Sequence, residues 1–278
     1  MPKKIVTHNA KFHSDDVFAA AALLLLYPDA EVVRTREEVL ITSGDIVFDV
    51  GEIYDADSNR FDHHQLGGAG DRENGIPYSS LGLIWKKFGE ELTGSQVVME
   101  RIDRSLVQAI DAGDNGVDLF KPTIVGARPY VISSVVNEFG VTWKEKEDWD
   151  GRFMECVEWA KGFLARLIKT EQDTAEGENI VQDAYQAAAD KRLVIIEEQY
   201  ALGRGLVTKV LSDLPEPLYS ILYRHDHKSW QLVAVRKNND TFGLRKSLPE
   251  SWAAKHDTEL EVESGVSGAL FCHRRCFM

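Results

Sequence analysis

Histidine and aspartate are gathered in the first 64 residues in a pattern that suits the binding of a metal ion. Four of the eight histidines fall there in two clusters. The first, His8-Asn-Ala-Lys-Phe-His13-Ser-Asp15-Asp16, lies between a strand-like segment and a helix-like one. The second, Phe61-Asp62-His63-His64-Gln65, follows the apolar strand Ile46-Val-Phe-Asp49-Val-Gly51, which ends on an aspartate. Imidazole and carboxylate in company match manganese, zinc or iron better than calcium. Taken singly, an aspartate at a strand end is more often a turn or cap residue, and adjacent histidines are more often an exposed polar turn. Here three such elements occur in an order that brings neighbouring strand ends together, so a metal site is expected. The chain has no Gly-x-Ser-x-Gly elbow, Walker loop or Gly-x-Gly-x-x-Gly fingerprint. Its Gly67-Gly-Ala-Gly70 run reads as a mobile loop.

These residues need a scaffold that ends several strands at one edge. Lys4 to Thr7, Ala30 to Thr35 and Asp45 to Val50 read as strands, and Asp15 to Tyr27 as an apolar helix stopping at Pro28. This alternation predicts an α/β fold: a parallel sheet with helices on both faces and ligands at the carboxyl ends of its strands. Leu81 to Phe88, Gln96 to Asp111 and Tyr130 to Phe139 read as further helices. From about Lys144 to Tyr200 there is no proline and much Glu, Ala, Lys, Gln and Leu, predicting two or three connecting helices closed by Gly203 and Gly205. Strands are expected at Leu206 to Leu211, Leu218 to Arg224 and Trp230 to Val235. His225 and His227 would sit at an exposed hairpin tip.

Charge supports this division. The 278 residues carry 45 acids and 32 bases, a net of −13, yet residues 205–278 hold only 9 acids against 10 bases. The expected domains are residues 1–204, with the helical connector at about 144–204, and a smaller α/β domain at 205–278. The acidity disfavours nonspecific capture of long nucleic acid, which depends on basic side chains releasing counterions. The longest apolar run, Val17 to Tyr27, falls short of the roughly 20 residues a membrane span needs. Three cysteines and no signal-like N-terminus lead to the expectation of a cytoplasmic protein.

The Asp62-His63-His64 triplet, with His8, His13, Asp15, Asp49 and Asp111 in that order, resembles the DHH phosphoesterase superfamily. Thr7 to Asp16, Asp45 to Gly51, Arg60 to Gln65, Ser79 to Trp85, Ile110 to Gly116, Leu244 to Trp252 and Gly265 to His273 resemble, more closely, its branch named after a melanocyte proliferating gene. The resemblance implies an N-terminal metal domain, a helical connector and a C-terminal substrate-binding domain. It implies that His8, His13 and Asp49 hold one metal, while Asp15, Asp49, His63 and Asp111 hold the other. His64 would then face the substrate phosphate, and Asp62 would orient the histidines. The cofactor expected is a pair of divalent ions, Mn2+ first and Mg2+ as the alternative.

Phosphate binding beyond the metals calls for cations, and the second domain offers Arg236, Arg245, Lys246, Arg274 and Arg275, with His273. Arg245, Lys246, His273 and Arg274 are the candidate substrate contacts. The implied activity is 3′-to-5′ exonuclease action on RNA or short oligonucleotides. The alternatives are a phosphatase or phosphodiesterase on a small nucleotide, cyclic dinucleotide or pyrophosphate, and a non-catalytic metal-bound scaffold. A homodimer is left open.

Overall fold

The structure is a computed structural model that describes residues 2–274 and 276–278. Arg275, one of the candidate cations, lies outside the described residues. By internal contacts the chain forms two compact units, residues 1–172 and 173–278.

The first unit begins with β1 (Lys4–Thr7), whose last three residues are buried. Next comes α1 (Ser14–Leu26), which is buried from Ser14 to Leu24. A helix apolar on every side belongs inside a fold. At its start the His13 N–H donates to Asp16 Oδ1 at 2.9 Å, and at its end Pro28 prevents continuation. Then follow β2 (Glu31–Arg34), α2 (Glu38–Thr42), β3 (Ile46–Phe48), β4 (Tyr54–Asp55) and β5 (Arg60–Phe61). The sheet order is β2-β1-β3-β5-β4, parallel throughout except for β4, which runs antiparallel to β5.

Side chains alternate between the faces of a strand. Val6 and Val47 pack with Val33 and with Ile41 of α2 on one face. Phe48 and Phe61, register partners, point to the other. There Phe61 meets Phe88 of α3 (Ser80–Thr93) edge-on at 5.8 Å. Helices therefore cover both faces, as the βα alternation predicts. α4 (Gln96–Ile102) passes through a single π-helical turn, Asp103–Val107, into α5 (Gln108–Asp114), and α6 (Ile132–Asn137) follows.

The connector differs from the expectation of two or three helices. It is one helix of 39 residues, α7 (Trp149–Ala187), and the boundary between the units falls inside it rather than after residue 204. Buried Phe153, Val157, Ala160, Leu164 and Ile168 recur every three or four residues, and no proline interrupts them. The end of the expected connector holds a strand, β6 (Leu193–Ile195).

In the second unit, Leu206 to Leu211 is helical, not extended. It belongs to α8 (Arg204–Asp213), where Val207, Val210 and Leu211 are buried at helical spacing. Gly203 caps the start of that helix instead of closing the one before. β7 (Tyr219–Arg224) and β8 (Ser229–Ala234) lie where expected, with His225 and His227 exposed between them. Their sheet has the order β6-β7-β8, β6 parallel and β8 antiparallel to β7. A 3-10 turn at Glu250–Trp252 and α9 (Asp257–Ser264) complete the unit. Among the described residues, no helix is long and apolar enough to cross a membrane.

Candidate metal centre

Parallel pairing sets the first contact. β1 and β3 lie side by side, so His8, just past β1, meets Asp49, just past β3. His8 Nε2 lies 3.1 Å from Asp49 Oδ2 and 3.2 Å from Asp16 Oδ2, and all three residues are buried. Its other ring nitrogen, Nδ1, pairs with the Asn9 carbonyl oxygen at 2.9 Å. A ring fixed by Nδ1 aims Nε2 at whatever sits between the carboxylates. In metal-free protein a proton would take that place. Burial alone would lower the His8 pKa, but hydrogen bonds and charge from Asp16 and Asp49 push it up to about 10.

Asp49 sits in the left-handed region, with φ +56°. A non-glycine residue held there costs energy and is a recurrent mark of functional sites. Asp49 Oδ1 lies 3.4 Å from His63 Nε2 and 3.6 Å from His64 Nδ1, and accepts from Ser80 Oγ at 3.1 Å. Burial would raise its pKa, but the hydrogen bonds from His63 and His8 hold it well below the usual carboxylate range. Asp49 thus serves both histidine clusters.

A second group of carboxylates meets the same nitrogen of His63 that faces Asp49. Asp114, at the end of α5, places Oδ2 3.3 Å from His63 Nε2, and Asp15 Oδ2 lies 3.9 Å from the same nitrogen. Three sets each have ligand atoms all within 4.8 Å of one another: Asp49, His63 and His64; His8, Asp16 and Asp49, which shares Asp49 with the first; and His13, Asp15 and Asp114. Asp15 is 0% exposed, and neither of its oxygens has a hydrogen-bond donor. Burial, followed by the charges of Asp49, Asp114 and Asp16, drives its pKa well above the ordinary value. A buried carboxylate with no partner is among the costliest arrangements in a protein. A cation relieves it, so the donor set fits divalent metal.

Asp62 behaves as a clamp. Its carboxylate accepts from the backbone N–H of Glu52 at 2.7 Å, of His63 at 2.7 Å and of His64 at 3.1 Å, and pairs with His64 Nδ1 at 2.7 Å. The His64 side chain remains 56% exposed.

Of the residues expected to bind metal, the fold brings together His8, His13, Asp15, Asp49 and His63. It places Asp111 elsewhere. That carboxylate accepts from Ser79 Oγ at 2.5 Å, Arg72 Nη1 at 2.5 Å and the Gly82 N–H at 3.1 Å. Asp114, three residues on in the same turn-rich run, reaches the centre instead, and Asp16 joins from the first motif. Both were visible in the motifs, but not as donors.

The candidate contacts of the second unit are dispersed. Arg245 donates to the carbonyls of Pro217 at 3.0 Å and Ser212 at 2.7 Å, which ties it into the fold. Lys246 and Arg274 are exposed. His273 stacks on Phe277, centroids 5.0 Å apart, and borders a 400 Å³ cavity with Arg204, Arg236 and Phe242.

In the first unit, a cavity of 990 Å³ lies over the His–Asp centre at the carboxyl ends of β1, β2 and β3. Besides the ligand-type residues, its lining includes Lys11 and Arg36, neither of which stood out in the sequence.

These features define an α/β protein with a histidine–aspartate centre suited to divalent metal at the carboxyl edge of a mainly parallel sheet. The chain belongs to the MYG1_exonuc family, described as "Uncharacterised protein family (UPF0160)", whose model matches residues 4–278. A relative named MYG1 protein, from Dictyostelium discoideum, is 29% identical over 299 residues, covering 99% of this chain and 91% of that protein. A relative named MYG1 exonuclease, from Homo sapiens, is 29% identical over 314 residues, covering 100% of this chain and 81% of that protein. A solved structure titled pGpG-specific phosphodiesterase, PggH from "Vibrio cholrae", covers 97% of this chain and 91% of its own at 16% identity and TM-score 0.34. A likeness that low carries no weight for the fold or the chemistry.

Proposed function

We propose that the protein is a divalent-metal-dependent phosphoesterase of the DHH type, acting as a 3′-to-5′ exonuclease on RNA or short oligonucleotides. One observation carries this reading. Asp15, fully buried and without a donor on either oxygen, lies in a cluster with Asp49, Asp114, His13 and His63 beneath an open cavity. A relative that bears the name exonuclease along its matched length supports the choice of reaction.

His8, Asp16 and Asp49 would hold one ion; His13, Asp15 and Asp114, with His63, would hold the other. Mixed imidazole and carboxylate donors suit Mn2+, with Mg2+ the alternative. Bound there, the ions would supply a water of lowered pKa and positive charge against the phosphate. The chain's own groups supply orientation and proton handling. Asp62 is a positioning residue, because it fixes His64 through Nδ1. His64 then presents Nε2, where a proton can be held against a phosphate or leaving-group oxygen.

The net charge of −13 favours short substrates over long ones. The same property supports the second reading, a phosphodiesterase on a small nucleotide or cyclic dinucleotide. Incubation with Mn2+ and a short 3′-labelled RNA separates the two: release of labelled mononucleotides is expected. Intact RNA alongside turnover of a cyclic dinucleotide would leave only the second reading. Replacement of His64 by Ala should lower kcat on the true substrate by about 100-fold. If the protein binds Mn2+ but turns over no phosphodiester, it is a metal-bound scaffold.

A further inference from the structure

Lys11 and Arg36 stand out in the cavity over the metal centre because the fold makes no use of their charges. Both side chains are exposed and line the cavity. Neither side chain makes an ion pair or hydrogen bond with another described residue. The other titratable residues of the lining are histidines and the carboxylates Asp49, Glu52, Asp62 and Asp114. In a chain of net −13, cations left without a carboxylate are available to an anionic ligand.

Their placement is directional. Lys11 follows β1 and Arg36 follows β2, the edge strand beside it, whereas Asp49 and His63 follow β3 and β5 on the opposite side of β1. The cations therefore border the His–Asp centre on the β2 side. The loop bearing Lys11 is also held in place. Ala10 takes a left-handed conformation at φ +66°, and Arg34 Nη2 donates to its carbonyl at 2.7 Å. Arg34 is itself buried against Phe153, with its guanidinium carbon 4.4 Å from the ring centroid. A cation on a fixed loop loses less entropy when it binds.

We propose that Lys11 and Arg36 form a phosphate subsite that holds a second phosphate group of the substrate, beside the one at the His–Asp centre. Arg36 offers a planar fork suited to two phosphate oxygens, and Lys11 a compact point charge. The substrate class is a nucleotide with at least two phosphates, such as a dinucleotide or short oligonucleotide with a terminal phosphate. The nature of the ligand rests on the phosphoesterase reading, but the anion subsite can be tested without turnover.

The test compares the dinucleotide pApA with ApA, which lacks only the terminal phosphate. Affinities are measured by calorimetry on the full chain with Ca2+ in place of Mn2+. The wild type should prefer pApA, and Lys11→Ala/Arg36→Ala should reduce that preference by about tenfold. Arg36→Lys, which keeps the charge but loses the fork, should fall between the wild type and the double variant. An unchanged preference in the double variant, or none in the wild type, overturns the inference. Should the preference fall as expected while the Mn2+ protein hydrolyses neither dinucleotide, the anion subsite stands and the phosphoesterase reading fails.

Discussion

Asp111 and Asp114 stand three residues apart on α5, and the fold gives them opposite tasks. Asp114 points its carboxylate at His63, while Asp111 sinks against α3 and is held by Ser79, Arg72 and the Gly82 N–H. Burial lifts the Asp111 pKa to about 6, despite the opposing effects of Ser79 and Arg72. Two substitutions separate these tasks. Asp114→Asn should weaken Mn2+ binding by at least about tenfold, the scale set by loss of a charged group at a metal site. Asp111→Asn should leave Mn2+ affinity within about threefold of wild type but cost about 3 kcal/mol of stability, since it breaks a buried pair. Calorimetric Mn2+ titration and urea unfolding of both variants decide the matter; a tenfold loss of affinity in Asp111→Asn would return that residue to the metal. The sequence made the presence of the centre legible through His8, His13, Asp49 and the Asp62-His63-His64 triplet. It could not choose between Asp111 and Asp114, because residues three apart share a helix face and only the depth of the neighbouring helix separates them.

Helix α3 sets that depth through one missing side chain. Gly82 has no Cβ, and one placed there would run into the Asp111 carboxylate and come within 2.9 Å of the Tyr78 ring. Gly82→Ala therefore tests how tightly α3 and α5 are coupled. Alanine gains about 1 kcal/mol in helix propensity, whereas overpacking a tight contact costs about 1–3 kcal/mol. The expected result is a net loss of about 1 kcal/mol or more in urea unfolding, and a variant as stable as its parent would show that the contact yields. Elements that announce themselves by pattern were legible: β1, β3 and the apolar α1, stopped by Pro28. Others depended on context. Leu206 to Leu211 contains two valines and reads as a strand, yet Val207, Val210 and Leu211 share the helical spacing that packs α8 in its core. The length of α7 was hidden for a related reason. Its polar composition allows a break at several points, and only the continuing burial of Phe153 through Ile168 shows that none occurs.

Over the whole molecule, the acidity is partly a property of the metal centre, because four carboxylates, Asp15, Asp16, Asp49 and Asp114, converge within one unit. Without a cation, burial makes Asp15 and Asp16 resist ionisation and His8 holds a proton against Asp16 and Asp49, which makes stability depend on pH in a calculable direction. Raised by Asp16 and Asp49, the His8 pKa of about 10 exceeds its ordinary 6.5, so the stability it contributes is complete below about pH 6.5 and drains away as pH rises towards 10. Asp15 and Asp16, whose pKa values burial raises, resist ionisation and lower stability as pH climbs above about 4. Asp49, held low, contributes stability lost only in acid, so it does not alter the trend above neutrality. Metal-free protein should accordingly lose stability between about pH 6.5 and 10. Manganese does the reverse, since it displaces the His8 proton and binds ionised carboxylates, so its affinity grows with pH. The increase in Tm on replacing EDTA with Mn2+ should be larger at about pH 8.5 than at about pH 6, as read by thermal unfolding at matched ionic strength. An increase that is equal at both values, or larger in acid, would mean that metal does not take the place of those protons.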